Sequence, residues 1–164
     1  MTQVLDRAIA EIRRVSRDMM PSELEDLGLQ PALQALCREF NKRLGVPVKF
    51  RGAGAPKLID PDLALAIFRI AQEALNNVGK HSRATRVAMS LLRTGRAIKL
   101  IVSDNGRGCS GARMRMEGRR RGGLVNIRER AACVGGTADF DSKLGQGTRL
   151  VVRAPLDGAG KGNR

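Results

Sequence analysis

Apolar residues near the N-terminus recur at intervals of 3, 4, 3 and 4 residues, which is the spacing of a helix that packs against another helix. They are Leu5, Ala8, Ile12, Val15 and Met19. Pro21 is expected to end this helix, because proline lacks the N–H group that a helical hydrogen bond requires. The pattern predicts a bundle-type helix at the start of the chain.

Two further helices are predicted downstream. The first is amphipathic, and its apolar positions are Leu29, Leu33, Leu36, Phe40 and Leu44. Gly45 and Pro47 should stop it before a short strand over 48–50. The second is a long helix within 60–82, with Asp60 as its N-cap and Pro61 at its first position.

The rest of the chain predicts four strands and one more helix. Apolar segments at 85–93 and 97–104 are separated by a short turn and indicate an antiparallel pair. A helix over 123–136 closes on glycines, and strands follow at 137–142 and 148–155. This order predicts helices on one face of a mixed sheet, so the expected fold class is α+β, a two-layer sandwich.

Composition narrows the class of protein. With 42% hydrophobic and 28% charged residues, the chain has the make-up of a globular domain. It has no apolar run of the ~20 residues that a spanning helix requires. The N-terminus lacks the apolar stretch of a signal peptide, so we expect a cytoplasmic domain, whether or not a longer parent protein is membrane-anchored. The cysteines are odd in number and far apart, which predicts reduced thiols.

The charge is strongly positive. Thirty Lys and Arg residues against sixteen Asp and Glu residues give +14, which indicates an anionic partner. The four aromatic residues are all Phe at positions expected to face the core, so nucleic-acid binding by aromatic stacking is disfavoured. Basic residues are concentrated in 107–123, where the apolar residues show neither a helical nor a strand period. This segment is expected to be a mobile basic loop, with a solvated linker as the plainer alternative.

The polar residues of the long helix suggest a site. At about 100° per residue, Glu73, Asn77 and Lys80 fall on one stripe beside the apolar face, and Asn76 falls on the opposite side. A carboxylate, an amide and an ammonium group suit a magnesium-bound polyphosphate, because they offer oxygen ligands to the metal and a cation to the phosphates. Ordinary polar flanks of a surface helix are the alternative.

A second candidate group follows an apolar strand. Asp104 ends that strand and is followed by "NGRG", which contains Gly106 and Gly108. A carboxylate at a strand end can accept a hydrogen bond from an exocyclic amine such as that of adenine. The glycines allow the backbone to approach a ligand, although the same sequence also fits a hairpin turn.

Two more glycine motifs complete the pattern. Gly122 and Gly123 precede a helix, whose free N–H groups form a ready anion site. Gly145, Gly147 and Thr148 lie in a turn that leads into the last strand, and a plain β-turn is the alternative. The chain contains neither the Walker lysine loop nor the dinucleotide glycine fingerprint, so a nucleotide would need another architecture.

Taken in order, "QEALNNVGKHS", "DNGRG", "RGGLVNIRER" and "GQGTRLVVRAP" resemble the N box and the glycine boxes of the GHKL ATPase superfamily, with the ATP lid between the second and third motifs. The chain is most similar to the catalytic domain of NarL/DesK-like two-component sensor histidine kinases, over roughly residues 4 to 156. The resemblance implies a Bergerat-type ATPase catalytic domain at 22–156. It also implies the second helix of a dimerisation and phosphotransfer hairpin at 1–21, and 157–164 is expected to be a flexible tail.

The resemblance implies ATP and magnesium as cofactors. Asn77 would hold magnesium, Glu73 would assist the metal site or proton transfer, and Lys80 would meet phosphate. Asp104 would bind the adenine amine, with Thr148 completing that side. The other residues implied in the pocket and lid are Gly106, Gly108, Gly122, Gly123, Leu124 and Gly147.

The chain departs from the family pattern in three places. The family's phosphoacceptor histidine lies upstream of the matched region, whereas the single histidine here, His81, lies inside the N box. Arg121 replaces a customary glycine, and Cys109 stands where an apolar aromatic residue is common. The acceptor helix is therefore expected in trans or from a missing N-terminal part. A response regulator and, in the full-length protein, a second copy forming a homodimer are the other implied partners.

The expected activity is transfer of the ATP γ-phosphoryl group to a histidine outside this chain. An anti-sigma-factor serine kinase of the same superfamily is one alternative. A non-catalytic ATP-dependent interaction module, or a basic nucleic-acid binder, is another. The N-terminal stripe favours the histidine kinase, because an anti-sigma-factor kinase would not need a bundle helix leading into the domain.

Overall fold

The computed structural model describes residues 21–110 and 122–157. The predicted N-terminal bundle helix, most of the predicted basic loop and nearly all of the predicted tail lie outside the described residues. The helices are α1 (Ser22–Leu27), α2 (Leu29–Leu44), α3 (Pro61–Asn77) and α4 (Gly123–Cys133), and a π-helical turn, Val78–Ser82, continues α3. The strands are β1 (Val48–Ala53), β2 (Val87–Thr94), β3 (Ala97–Asp104), β4 (Thr137–Lys143) and β5 (Gly147–Pro155).

The five strands form one mixed sheet in the order β1-β2-β3-β5-β4. The edge strand β1 runs parallel to β2, and the other three pairs are antiparallel. Helix α3 lies in the connection between the two parallel strands, which must be long because parallel strands cannot be joined by a tight turn. The antiparallel pair β2–β3 is the pair that the sequence predicted, and β4 and β5 are the two further strands that it predicted after the last helix.

The core lies between the sheet and the helices. Alternate residues of the central strands face it, and the fully buried ones include Leu91, Ile98, Leu100 and Val152. Helix α3 packs against α2, α4 and β3, and α4 packs against β4 and β5. The predicted α+β sandwich is therefore confirmed.

Helix α3 begins as its sequence predicts. The Asp60 carboxylate Oδ1 accepts the backbone N–H groups of Asp62 at 3.0 Å and Leu63 at 3.1 Å, which satisfies two of the free donors of the first turn. Pro61 occupies the first helical position, where its missing N–H costs nothing. The apolar face of α3 is buried, so this helix is anchored along most of its length.

One helix was not predicted, and several elements differ from their predicted bounds by one to three residues. Helix α1 was not predicted, because its six residues bury only Leu24 and are too few to show a helical period. Strand β1 continues to Ala53 rather than ending at Phe50. Its last three residues lack an apolar pattern but stay paired with β2 through Ala53 and Leu92.

The cysteines and aromatic residues lie as expected. None of the three cysteines is in a disulfide. Cys37 is buried beside Met89, with 3.7 Å between the two sulfur atoms, and burial raises the pKa of its thiol to about 11. The aromatic side chains all contribute to the core, Phe40 and Phe68 as buried residues and Phe50 and Phe140 as partly buried ones. Within 21–110 and 122–157, no helix is both long enough and apolar enough to span a membrane.

Candidate functional site

A cavity of about 250 Å³ opens between α3, α4 and the adjoining ends of β3 and β5. Its polar lining comes from segments far apart in sequence. The site residues predicted from sequence that line it are Asn77, Asp104, Gly108, Gly122, Gly123, Leu124 and Thr148. The fold therefore brings residues of all four sequence motifs to one place.

Asp104 lies in this cavity at the end of β3, where it pairs in register with Thr148 of β5. Its Oδ1 atom accepts the backbone N–H of Gly106 at 2.8 Å. Burial raises the pKa of the Asp104 carboxyl above its usual value, although the N–H groups of Gly106 and Thr148 act in the opposite direction. A partly dry, acceptor-only carboxylate is suited to bind a donor group of a ligand.

Gly106 and Gly147 hold the backbone around Asp104 without lining the cavity. A Cβ atom on Gly106 would overlap the carbonyl oxygen of Ser82. A Cβ atom on Gly147 would overlap the carbonyl oxygen of Asp104, and its φ of +80° is one that other residues rarely adopt. These glycines are therefore required where three backbone segments meet.

The start of α4, at Gly123, meets the polar side chains near the end of α3. A Cβ atom on this residue would overlap the Glu73 carboxylate and lie 2.9 Å from the side-chain amide atoms of Asn77. The first residue of α4 thus lies against Glu73 and Asn77 of α3. Free N–H groups at a helix start attract anions, so an amide, a carboxylate and an anion-binding helix end converge here.

The prediction of one α-helical stripe is wrong beyond Asn77. Residues 78–82 form a π turn, which closes with a longer hydrogen-bonded ring and turns the chain by less than 100° per residue. Lys80 is consequently exposed and does not line the cavity, whereas His81 does. Asn76 faces away as predicted, and its Oδ1 accepts a hydrogen bond of 3.3 Å from the Arg43 guanidinium on α2.

Comparison with known proteins identifies this arrangement. Residues 62–158, more than half of the chain, match the model of the family described as histidine kinase-, DNA gyrase B- and HSP90-like ATPases. The chain belongs to this ATPase family. The match covers α3 except its first residue, the cavity and the whole of the sheet except β1.

The curated relatives that the chain matches include sensor histidine kinases. The chain is 39% identical over 153 residues to the sensor histidine kinase MctS of Rhizobium johnstonii, covering 93% of this chain and 33% of that protein. It is 31% identical over 154 residues to the oxygen sensor histidine kinase NreB of Staphylococcus carnosus, covering 93% of this chain and 44% of that protein. The chain is therefore similar over most of its length to one part of each of these sensor histidine kinases, and it spans less than half of either.

Solved structures agree on the fold. The blue-light activated histidine kinase of Erythrobacter litoralis superposes with a TM-score of 0.63 at 21% identity, covering 78% of this chain and 42% of that one. At this identity the likeness establishes the architecture of the ATPase domain alone.

Several residues of the cavity were not predicted as ligand-binding residues. His81, Cys109 and Phe140 line it. Alternation along β4 could have placed Phe140 and Ser142 on the same inward face, but only the tertiary structure brings Cys109 beside them. The guanidinium of Arg128 lies 5.2 Å from the centre of the Phe140 ring, which ties α4 to β4 at the cavity edge.

The residues present fit a metal ion that is held mainly by its nucleotide. Within the described ranges, no group of three His, Cys, Asp or Glu side chains is placed to bind a metal. Magnesium commonly takes one or two protein oxygens and completes its shell with phosphates and water. The adjacent Glu73 and Asn77 side chains are compatible with that chemistry.

Proposed function

We propose that this chain is the catalytic domain of a two-component sensor histidine kinase that uses magnesium-bound ATP and passes the γ-phosphoryl group to a histidine outside the chain, for relay to a response regulator. The observation that carries the proposal is Asp104. It presents a half-buried carboxylate in the cavity formed by all four motifs.

Asp104 would accept the adenine amine, with Thr148 beside it on the neighbouring strand. Apolar surface for the base is available from Val102, Ile127 and Leu150, which also line the cavity. An apolar slot with a few convergent polar groups is the common form of a small-molecule site.

The phosphates would lie toward the start of α4. Its free N–H groups at Gly122 and Gly123 are suited to bind anionic oxygens. Asn77 would offer its amide oxygen to magnesium, and Glu73 would orient a metal-bound water or the attacking group. Magnesium, when bound, neutralises negative charge on the phosphates. Contact between Lys80 and phosphate stays a prediction, and from its exposed position it would require the side chain to reach over the cavity rim.

The acceptor would come from elsewhere. The chain has one histidine, His81, and it lies on the wall of the proposed nucleotide cavity itself. Residues 1–21 would contribute the second helix of the dimerisation hairpin, so the complete protein would act as a homodimer. Positioning and charge neutralisation would carry the transfer, as is usual for phosphoryl transfer.

Two assays test this function. The chain is titrated with a fluorescent ATP analogue, with and without magnesium, and magnesium-dependent binding is expected. It is then incubated with γ-labelled ATP, alone and together with a helical hairpin bearing an acceptor histidine. Acid-labile label should form only on the hairpin.

Acid-stable label on a serine would favour the anti-sigma-factor type of kinase. Acid-labile label on His81 in the chain alone would contradict the proposed external acceptor. Tight DNA binding that weakens with salt and ignores ATP would contradict the whole proposal.

A further inference from the structure

Ser142 of β4 lies behind the cavity wall and joins three segments by hydrogen bonds. Its Oγ accepts the backbone N–H of Cys109 at 2.9 Å and donates to the carbonyl oxygen of Gly147 at 3.0 Å. Its third contact is with the Thr148 hydroxyl, at 2.9 Å between the oxygens. Ser142 does not line the cavity, whereas Thr148 does.

The hydrogens of this network can be counted. A serine hydroxyl has one hydrogen to donate and two lone pairs that accept. The carbonyl of Gly147 can only accept, so it takes the hydrogen of Ser142. The N–H of Cys109 uses one lone pair, and the second is left for the Thr148 hydroxyl, which must then be the donor. The Thr148 hydroxyl therefore has only lone pairs left to offer a ligand in the cavity.

Next to Thr148, the neighbouring strand presents Asp104, whose carboxylate is also an acceptor when ionised. Two acceptors side by side match an amino group, which brings two hydrogens. They repel a carbonyl oxygen, since no donor on these two side chains remains to meet it. Sites built to hydrogen-bond one group reject analogues that lack it far more strongly than apolar pockets do.

We propose that Ser142 is a positioning residue that fixes Thr148 as an acceptor and thereby makes the site selective for a 6-amino purine over a 6-oxo purine. The inference rests on the proposed nucleotide function of this cavity and adds to it the source of base selectivity. Ser142 acts through Thr148 and does not touch the base.

The test compares ATP with inosine triphosphate, which carries a carbonyl oxygen in place of the amine on the same ribose triphosphate. Dissociation constants for both are measured by competition against a fluorescent ATP analogue. Ser142→Ala frees the Thr148 hydroxyl to rotate and donate, so the preference for ATP over inosine triphosphate should fall at least fivefold. Ser90→Ala, which removes a half-buried serine hydroxyl from β2 outside the cavity lining, should leave the preference unchanged.

A double variant checks that the effect passes through Thr148. In a Thr148→Val background, Ser142→Ala should cause no further change in preference. Should Ser142→Ala fail to fold by circular dichroism, Ser142→Cys keeps the volume with a much weaker hydrogen-bonding group, and the preference should fall in the same direction.

The outcomes separate the two claims. If the wild-type chain binds neither nucleotide, the proposed function fails. If it binds ATP selectively and the folded Ser142 variants keep that selectivity, or lose it equally in the Thr148→Val background, the role of Ser142 is wrong while the proposed function stands.

Discussion

Gly123 lies directly against the carboxylate of Glu73, where the start of α4 meets the polar end of α3. The atoms that a side chain at this position would displace are the ends of Glu73 and Asn77 rather than backbone atoms. Flexible side-chain ends can move at low cost. The absence of a side chain on Gly123 therefore controls where two site groups lie, more than it controls the stability of the fold.

Gly123→Ala should separate binding from stability. Alanine is favoured over glycine in helices by up to about 1 kcal/mol. This gain opposes the cost of displacing the side-chain ends of Glu73 and Asn77, so the unfolding free energy should change little. Magnesium-dependent ATP binding should weaken at least tenfold, because Glu73 and Asn77 are pushed from their places. Calorimetric titration and urea unfolding measure the two effects.

Two other glycines provide comparison variants for this prediction. In Gly79→Ala the new Cβ would meet mainly the side-chain end of Leu44, so binding and stability should both stay near wild type. In Gly106→Ala it would meet the backbone of Ser82, so stability should fall by about 1–3 kcal/mol. Equal binding by the wild type and Gly123→Ala would show that the Gly123 contact has no part in the site.

Asn77→Ala and Asn76→Ala form a pair of neighbours with opposite expectations. Asn77 lines the cavity, so its truncation should weaken magnesium-dependent ATP binding at least tenfold, or about 1.4 kcal/mol. Asn76 makes a long hydrogen bond to Arg43 on α2, so its loss should change stability by less than about 0.5 kcal/mol and leave binding intact. Both are compared by calorimetry after circular dichroism. A larger binding loss in Asn76→Ala would overturn the assignment of Asn77.

ATP binding should depend on the ionisation of Asp104. Because burial raises the pKa of its carboxyl, the acceptor form should be lost on acidification at a higher pH than for an exposed aspartate. Asp104→Asn should weaken ATP binding at least tenfold at neutral pH and flatten its acid dependence. Fluorescent ATP titrations across a pH series measure both. A variant with the wild-type affinity would refute the adenine contact.

The same carboxyl links stability to pH in the opposite direction. A carboxyl whose pKa is higher folded than unfolded favours folding most below its unfolded pKa, and this contribution is lost as the pH rises through its folded pKa. The free energy of unfolding of the wild type should therefore fall relative to that of Asp104→Asn as the pH rises from about 4 to about 7. Urea unfolding at several pH values measures the difference in unfolding free energy between the wild type and Asp104→Asn. A difference that stays constant with pH would contradict this prediction.

The cysteines allow a labelling test of the cavity. Cys133 is exposed, Cys109 lines the cavity, and Cys37 is buried with a pKa raised to about 11. Iodoacetamide should modify Cys133 in every condition and leave Cys37 unmodified in the folded protein, since the thiolate is the reactive form. Magnesium and ATP together should slow modification of Cys109 only. Mass spectrometry of the digested protein measures each site, and unprotected Cys109 would place the nucleotide elsewhere.

Much of the fold could be predicted because its elements carry strong local signals. Helix α3 has a capping aspartate, a proline at its first position and an apolar face. Strand β3 is a mainly apolar segment that follows a turn, and its predicted bounds, 97–104, match the structure. Helix α1 has no such pattern, and the end of β1 is fixed by pairing with β2 rather than by its own residues.

The site was partly predictable for a different reason. Asp104 and the glycines stand out because their chemistry is unusual at the ends of apolar segments. The Ser142 network could not be predicted, since its partners Cys109 and Thr148 meet only through tertiary contacts. Lys80 was misplaced because nothing in the local sequence distinguishes a π turn from the last turn of an α-helix.

That π turn lets one helix serve two purposes. An extra residue in a single turn shifts the angular phase of everything after it, so α3 can be a core helix along its length and a pocket wall at its end. A designer who grafted residues 61–82 onto an ideal straight helix would keep the apolar stripe but turn His81 and Ser82 toward different neighbours. Such a graft would have to copy the backbone of the helix together with its π turn, and not the amino-acid sequence alone.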